Sequence, residues 1–221
     1  MFSLLSPLKP SRNTINFPLV LQKDISEMVS IIVINYNNAP DTMACLRALE
    51  NQTYKCFKVV LIDNGSFDNS VLEIDDFLKG SRLSVITRFV GLGINRGFAG
   101  GNSEGLKYVT SPYVALLNSD TVPDREWLGS LVTSIETHPD TGICASKLIV
   151  RDTEIIDSAG DGFSDALKGF KMGEGQSSSN FNNQEYIFGA CAGAVLYRKK
   201  MLEEIGFFDE NFFLIHEDTD L

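Results

Sequence analysis

Apolar positions fall into short continuous blocks separated by polar breaks and helix-spaced stretches, the rhythm of alternating strands and helices. The run at 29–34 is β-branched and uninterrupted, which predicts a central strand buried on both faces. After the polar break Asn35, Tyr36, Asn37, Asn38, the segment from Pro40 to Glu50 spaces Met43, Leu46 and Leu49 as a helix face. Residues 57–62 predict a second strand, with a helix starting near Asp68 or Asn69. A weaker third strand is expected at 83–87, then a glycine-rich loop at 91–101 leading into a helix at 102–109, and a fourth strand at 113–117. Pro123 is expected to open a helix to Thr137, whose apolar face carries Trp127, Leu128, Leu131 and Ile135. Beyond Gly142 short strands alternate with polar stretches, including a flexible loop at 173–183. A strand at 190–197, a short helix at 199–205 and an acidic, aromatic loop at 206–221 complete the pattern.

This βαβ order predicts one α/β domain over residues 29–221, with a mostly parallel central sheet, behind an N-terminal extension at 1–28 that has no clear period. With 221 residues, 43% hydrophobic, the chain can bury a sizeable core. Its net charge of -10 excludes the clustered basic tracks that a nucleic acid polymer requires, but not a small anionic ligand neutralised by a divalent cation and backbone N–H groups. Cys45, Cys56, Cys144 and Cys191 are widely spaced and read as reduced core thiols. No apolar run reaches the roughly 18 residues of a membrane span, so a cytoplasmic protein is expected.

In an open parallel sheet, ligands bind beyond the carboxyl ends of the strands, where strand order reverses. The polar candidates follow strands: Asn35 and Tyr36 after the first, Asp63 after the second, Asn95, Arg96 and Gly97 in the glycine-rich loop, Asn118 and Asp120 after the fourth. Each alone reads as readily as a turn or cap; the set indicates a shared mouth. The Gly91-Leu92-Gly93 pattern lacks the third glycine of a dinucleotide fingerprint. Asp120 suits a hard divalent ion that keeps waters and shares a diphosphate. The run from His216 through Glu217, Asp218, Thr219 and Asp220 to Leu221 crowds three carboxylates beside one of two histidines, a setting that can poise a base or simply start an acidic helix.

Together these segments resemble family 2 glycosyltransferases of the GT-A fold, in particular a rhamnosyltransferase-like branch. The resemblance is carried by Val33-Ile34-Asn35-Tyr36-Asn37, by Asp63-Asn64-Gly65-Ser66-Phe67-Asp68, by the stretch from Asn95 to Asn102, by Leu116 to Thr121, and by the run from Gly193 to Asp218. It implies a Rossmann-like α/β/α sandwich that passes a sugar from a UDP- or dTDP-linked donor to an acceptor hydroxyl with inversion. Asn35, Tyr36 and Asp63 would line the nucleoside pocket, Asn95 and Gly97 would approach the donor, and Asn118 and Asp120 would flank the diphosphate. Asp120 would hold Mg²⁺ or Mn²⁺, and Asp218 would be the catalytic base. A glycan or lipid-linked glycan acceptor and peripheral association with the inner face of the membrane follow from the branch. Two departures stand out: Asn118-Ser119-Asp120 leaves one carboxylate in the metal motif, and family members continue past the Glu217-Asp218 pair, so a C-terminally incomplete domain is expected. The alternatives are a non-catalytic nucleotide-sugar-binding remnant and a sugar nucleotidyltransferase; the latter would want a basic, glycine-rich loop where Asn35 to Asn38 stand.

Overall fold

The computed structural model describes residues 2–4, 29–164, 168–214 and 217–221; most of the expected N-terminal extension therefore lies outside the described residues. In chain order the strands are β1 (Phe2–Leu4), β2 (Val29–Asn35), β3 (Phe57–Asp63), β4 (Thr87–Gly91), β5 (Tyr113–Leu117), β6 (Thr121–Pro123), β7 (Ile143–Ala145), β8 (Leu148–Val150), β9 (Ile156–Ser158), β10 (Asp161–Phe163), β11 (Gly169–Lys171) and β12 (Ala194–Arg198). The helices are α1 (Ala39–Glu50), α2 (Ser70–Gly80), α3 (Gly97–Leu106), α4 (Trp127–Thr137), α5 (Lys199–Ile205) and α6 (Glu217–Asp220).

Six strands form the central sheet in the order β4-β3-β2-β5-β12-β7. The four from β4 to β5 are parallel, and β12 runs antiparallel between β5 and β7. Alternate residues of β2 feed opposite layers. Ile31 and Val33 pack with Leu46 of α1, Ile74 of α2 and Leu128 of α4. Ile32 packs with Ala99 of α3 and Leu202 of α5 on the other face. The chain steps outward from β2 to β3 and β4, then crosses back to lay β5 on the other side of β2. Strand order therefore reverses between β2 and β5, and open sheets of this kind bind ligands in the crevice between the loops beyond those carboxyl ends.

Four expectations shift. The third strand starts at Thr87 rather than 83: Arg82–Val85 is a 3-10 turn, started by Ser81 Oγ accepting from the Leu83 amide at 3.0 Å, and β4 follows it. The glycine-rich loop gives way to helix α3 already at Gly97 rather than at 102, because Gly101 and Gly105 are packing surfaces. A Cβ on Gly105 would lie 2.7 Å from Ile32 Cγ2, and one on Gly101 would lie 3.0 Å from Ile34 Cδ1. Low intrinsic helix propensity is thus offset by close approach of α3 to β2. Pro123 belongs to β6, and α4 starts at Trp127, where the buried Gln52 side chain caps it from outside by donating to Asp124 O and accepting from the Leu128 amide. β12 begins at Ala194, leaving 189–193 as irregular backbone that serves the site below.

The 173–183 stretch is tied to the body by Lys147, whose Nζ donates to the carbonyls of Ser178 and Phe181 at 3.3 and 3.1 Å. The four cysteines are free thiols; Cys45 is buried, and burial pushes its pKa up to about 12. Among the described residues no helix is long and apolar enough to cross a membrane.

Candidate functional site

Strand register sets the first side of the crevice. Asn35 pairs with Asp63, and Asp63 with Gly91, so the ends of β2, β3 and β4 lie level. Asn35 is fully buried, its amide donating to Asp63 Oδ1 at 2.8 Å and Ser66 Oγ at 3.1 Å while its oxygen accepts from Thr42 Oγ1 at 2.8 Å. Asp63 accepts in addition from Ser66 Oγ at 2.6 Å and the Ser66 amide at 3.0 Å. Donors to a carboxylate are among the stronger hydrogen bonds, so the turn after β3 is held in one shape. Asn35 stands behind Asp63 and fixes it.

The neighbouring Asn64, 3% exposed, holds the α3 entry loop. Its amide nitrogen donates to Asn95 Oδ1 at 3.0 Å and Gly97 O at 2.9 Å, and its oxygen accepts from the Arg96 amide at 3.0 Å. Asn95 Oδ1 also receives the Gly97 amide at 2.8 Å. Gly65, at φ +79°, lets the two turns touch, since a Cβ there would sit 2.3 Å from the carbonyl carbon of Ile94. Asn35, Asp63, Asn95 and Gly97 are therefore brought together as one network, with Asn64, Ser66 and Thr42 as its unforeseen links.

The second side is built by β5 and residues 189–193. The Asn118 amide donates to Gly193 O at 2.9 Å, and Asn118 O accepts from Thr121 Oγ1 at 2.6 Å. Asp120 is half-buried, and among the described residues no hydrogen bond or ion pair engages its carboxylate. One residue before Gly193, the Ala192 amide donates to Asp218 Oδ2 at 3.2 Å. The Asn118-to-Asp120 turn and Asp218 are thus joined through Ala192 and Gly193. Asp161 lies in the same region, exchanging both backbone hydrogen bonds with Gly189. Burial, then the charge of Asp218, raise the Asp161 carboxyl to about 6, with Lys171 opposing. The same surroundings push the Cys191 thiol up to about 11, burial first. No sequence motif pointed to Asp161.

Tyr36 stands apart from the network on the lip, 41% exposed, edge-on to Phe67 with ring centroids 6.2 Å apart. Arg96 turns away from the mouth, its guanidinium paired with Glu104 and, at 2.8 Å, with Glu210. His216 lies outside the described residues. A cavity of about 550 Å³, lined among others by Trp127, Ser134, His138, Lys147 and Phe188, adjoins the second side at Gly189, but none of the expected site residues lines it.

Among the described residues no cluster of three or more His, Cys, Asp or Glu could enclose a metal. The donor set still fits Mg²⁺ or Mn²⁺ bound through one open carboxylate, Asp120, plus the oxygens of a ligand diphosphate and water. A small hard cation commonly binds in this way rather than in an all-protein cage.

Solved structures share this architecture. The mannosyltransferase PcManGT from Pyrobaculum calidifontis, in complex with GDP-Man and Mn²⁺, superposes with a TM-score of 0.59 at 20% identity, over 89% of this chain and 52% of that one. S. aureus TarS 1-349 in complex with UDP gives 0.60 at 18% identity, over 86% and 52%. The fold is the GT-A α/β/α sandwich. In sequence, the chain is 28% identical over 130 residues to the poly-beta-1,6-N-acetyl-D-glucosamine synthase of Staphylococcus epidermidis, a match spanning 59% of this chain and 31% of that protein. It is 30% identical over 95 residues to the Escherichia coli UDP-Glc:alpha-D-GlcNAc-diphosphoundecaprenol beta-1,3-glucosyltransferase WfgD, over 43% and 36%. These matches span about a third of the relatives' length. The profile of glycosyl transferase family 2 matches residues 30–206, most of the chain and every turn of the crevice up to the end of α5, so the chain belongs to glycosyl transferase family 2.

Proposed function

We propose that the chain carries the donor site and base of an inverting glycosyltransferase that uses a UDP- or dTDP-linked sugar to glycosylate a glycan or lipid-linked glycan in cell-envelope polysaccharide synthesis. A rhamnosyltransferase-like specificity is the finer reading. The observation that supports it most is the joining of the Asn118-to-Asp120 turn to Asp218 through Ala192 and Gly193, across the crevice from the Asp63 and Asn95 turns.

Asp63, 2% exposed and held by Asn35 and Ser66, shapes the turn after β3 that would line the ribose and base side of the pocket. The exposed faces of Tyr36 and Phe67 offer a stacking surface at the lip. Asn95 and Gly97, fixed by Asn64, bring backbone close to the diphosphate. Asp120 and Asn118 face the same group from the β5 side. A Mg²⁺ or Mn²⁺ held by Asp120 would neutralise charge on the departing diphosphate.

Asp218 accepts the proton of the acceptor hydroxyl as that oxygen bonds to the anomeric carbon. The anomeric C–O bond to the diphosphate breaks, and the nucleoside diphosphate leaves with the electron pair. Holding both substrates in one crevice makes attack effectively unimolecular. The diphosphoundecaprenol acceptor in the name of the E. coli relative WfgD supports a lipid-linked glycan as acceptor, met at the inner face of the membrane. Asp218→Asn should abolish transfer while leaving donor binding intact; turnover at the wild-type rate would remove Asp218 from the role.

A further inference from the structure

Residues 206–214 lie between α5 and α6 with little regular structure, yet they meet the donor side of the molecule at one place. The Phe213 carbonyl accepts from the Phe98 amide at 2.8 Å, satisfying a first-turn N–H of α3 that the helix itself leaves unpaired. Gly97, at φ +71°, allows this approach: a Cβ there would lie 2.1 Å from Phe213 O. Phe208 packs beside Phe98 with centroids 6.0 Å apart. Arg96 completes the contact. Its guanidinium forks between Glu104 inside α3 and Glu210 in the 206–214 segment.

We infer that Arg96 is a positioning residue, latching the segment that leads to Asp218 onto the Asn95-to-Gly97 turn so that donor loop and base are ordered together. The inference rests on the donor-site reading above. A planar fork can satisfy two carboxylates at once where an ammonium is a point charge, so Arg rather than Lys suits the position. Each end of the 206–221 run is then anchored to a different side of the crevice: Glu210 and Phe213 to the donor loop, Asp218 to Ala192. Whatever orders residues 95–98 must favour the latched segment, and by linkage the latched segment must favour binding at residues 95–98.

Glu210 lies outside the proposed donor contacts, which makes it the clean perturbation. Glu210→Gln removes the charge partner, and Glu210→Lys sets an ammonium against the guanidinium. Three quantities would be read on the full chain: the Kd for UDP and for dTDP with Mn²⁺, the exchange rate of the Phe98 amide, and the unfolding midpoint. An exposed pair of this kind should be worth up to about fivefold in Kd. Glu210→Gln is expected to weaken nucleotide binding about two- to fivefold and to speed Phe98 exchange, Glu210→Lys to do more of both, and the unfolding midpoint to move by no more than about 4 °C in Glu210→Gln. A purely structural pair would move the midpoint and leave Kd alone, overturning the proposal. If wild type binds nucleotide and Glu210→Lys changes neither Kd nor exchange, the latch alone is refuted. If wild type binds neither nucleotide, the donor-site reading falls and the latch's functional role falls with it.

Discussion

Removing the Asn64 side chain tests how the donor side is assembled. Asn64→Ala deletes two donated hydrogen bonds and one accepted, at 2.9 to 3.0 Å. Asn95 Oδ1 keeps the Gly97 amide as a partner and Gly97 O, the first carbonyl of α3, keeps the bond that the helix itself makes, whereas the Arg96 N–H loses its partner. Leaving a buried polar group unpaired costs about 1–3 kcal/mol. One partly buried N–H, that of Arg96, is left unpaired, so the loss should be about 1–3 kcal/mol. That is a large share of a domain's usual stability of about 5–15 kcal/mol. At about 2–4 °C per kcal/mol for a chain of this size, the thermal midpoint should fall by about 2–12 °C. Urea denaturation of wild type, Asn64→Ala and Asn64→Asp would measure it. The aspartate keeps the acceptor for Arg96 but faces two oxygens with a charge, so it should be at least as damaging as alanine. A loss below about 0.5 kcal/mol for both variants, the range of an ordinary surface change, would refute the reasoning.

Two further predictions concern the rest of the fold. Asp161 has a carboxyl raised from 3.8 to about 6, so its contribution favours folding below the lower value and is lost as pH rises through about 6. Asp161→Asn should therefore gain stability relative to wild type at pH 8, by at most about 3 kcal/mol, and gain little at pH 4; equal differences at both pH values in urea titrations would count against the assignment. Gly105→Ala should lose about 1 kcal/mol or more, because overpacking against Ile32 outweighs the improved helix propensity, while Gly80→Ala at the end of α2, with open space around its Cβ, should be neutral or stabilising by up to about 1 kcal/mol. Thermal melts of the pair decide it, and similar shifts in both would contradict the close α3–β2 packing.

The strands β2, β3 and β5 were legible because continuous β-branched runs buried on both faces have few other readings. Helix α3 was legible only from 102 onward, since propensity counts Gly97, Gly100 and Gly101 as loop formers; the reason for Gly101 lies in Ile34 some seventy residues earlier, and that for Gly97 in Phe213. The start of α4 was misplaced for a similar reason: its cap is Gln52, a residue that no local window includes. In the site, the turns after strands announced Asp63, Asn95 and Asp120 as candidates, but not the division of labour that puts Asn35 and Asn64 behind them as supports. Asp161 was invisible in the sequence because its character comes from burial and from Asp218, which stands in a separate element.

The central claim is that the crevice at the β2–β5 reversal binds a nucleoside diphosphate with a divalent ion at Asp120. Calorimetric titration of UDP and dTDP into wild type and Asp120→Asn, with and without Mn²⁺, tests it without any acceptor. The account predicts saturable binding by wild type that strengthens with Mn²⁺, and loss of that Mn²⁺ dependence in a folded Asp120→Asn. Absence of binding to folded wild type, or an equal Mn²⁺ effect in the variant, would contradict it.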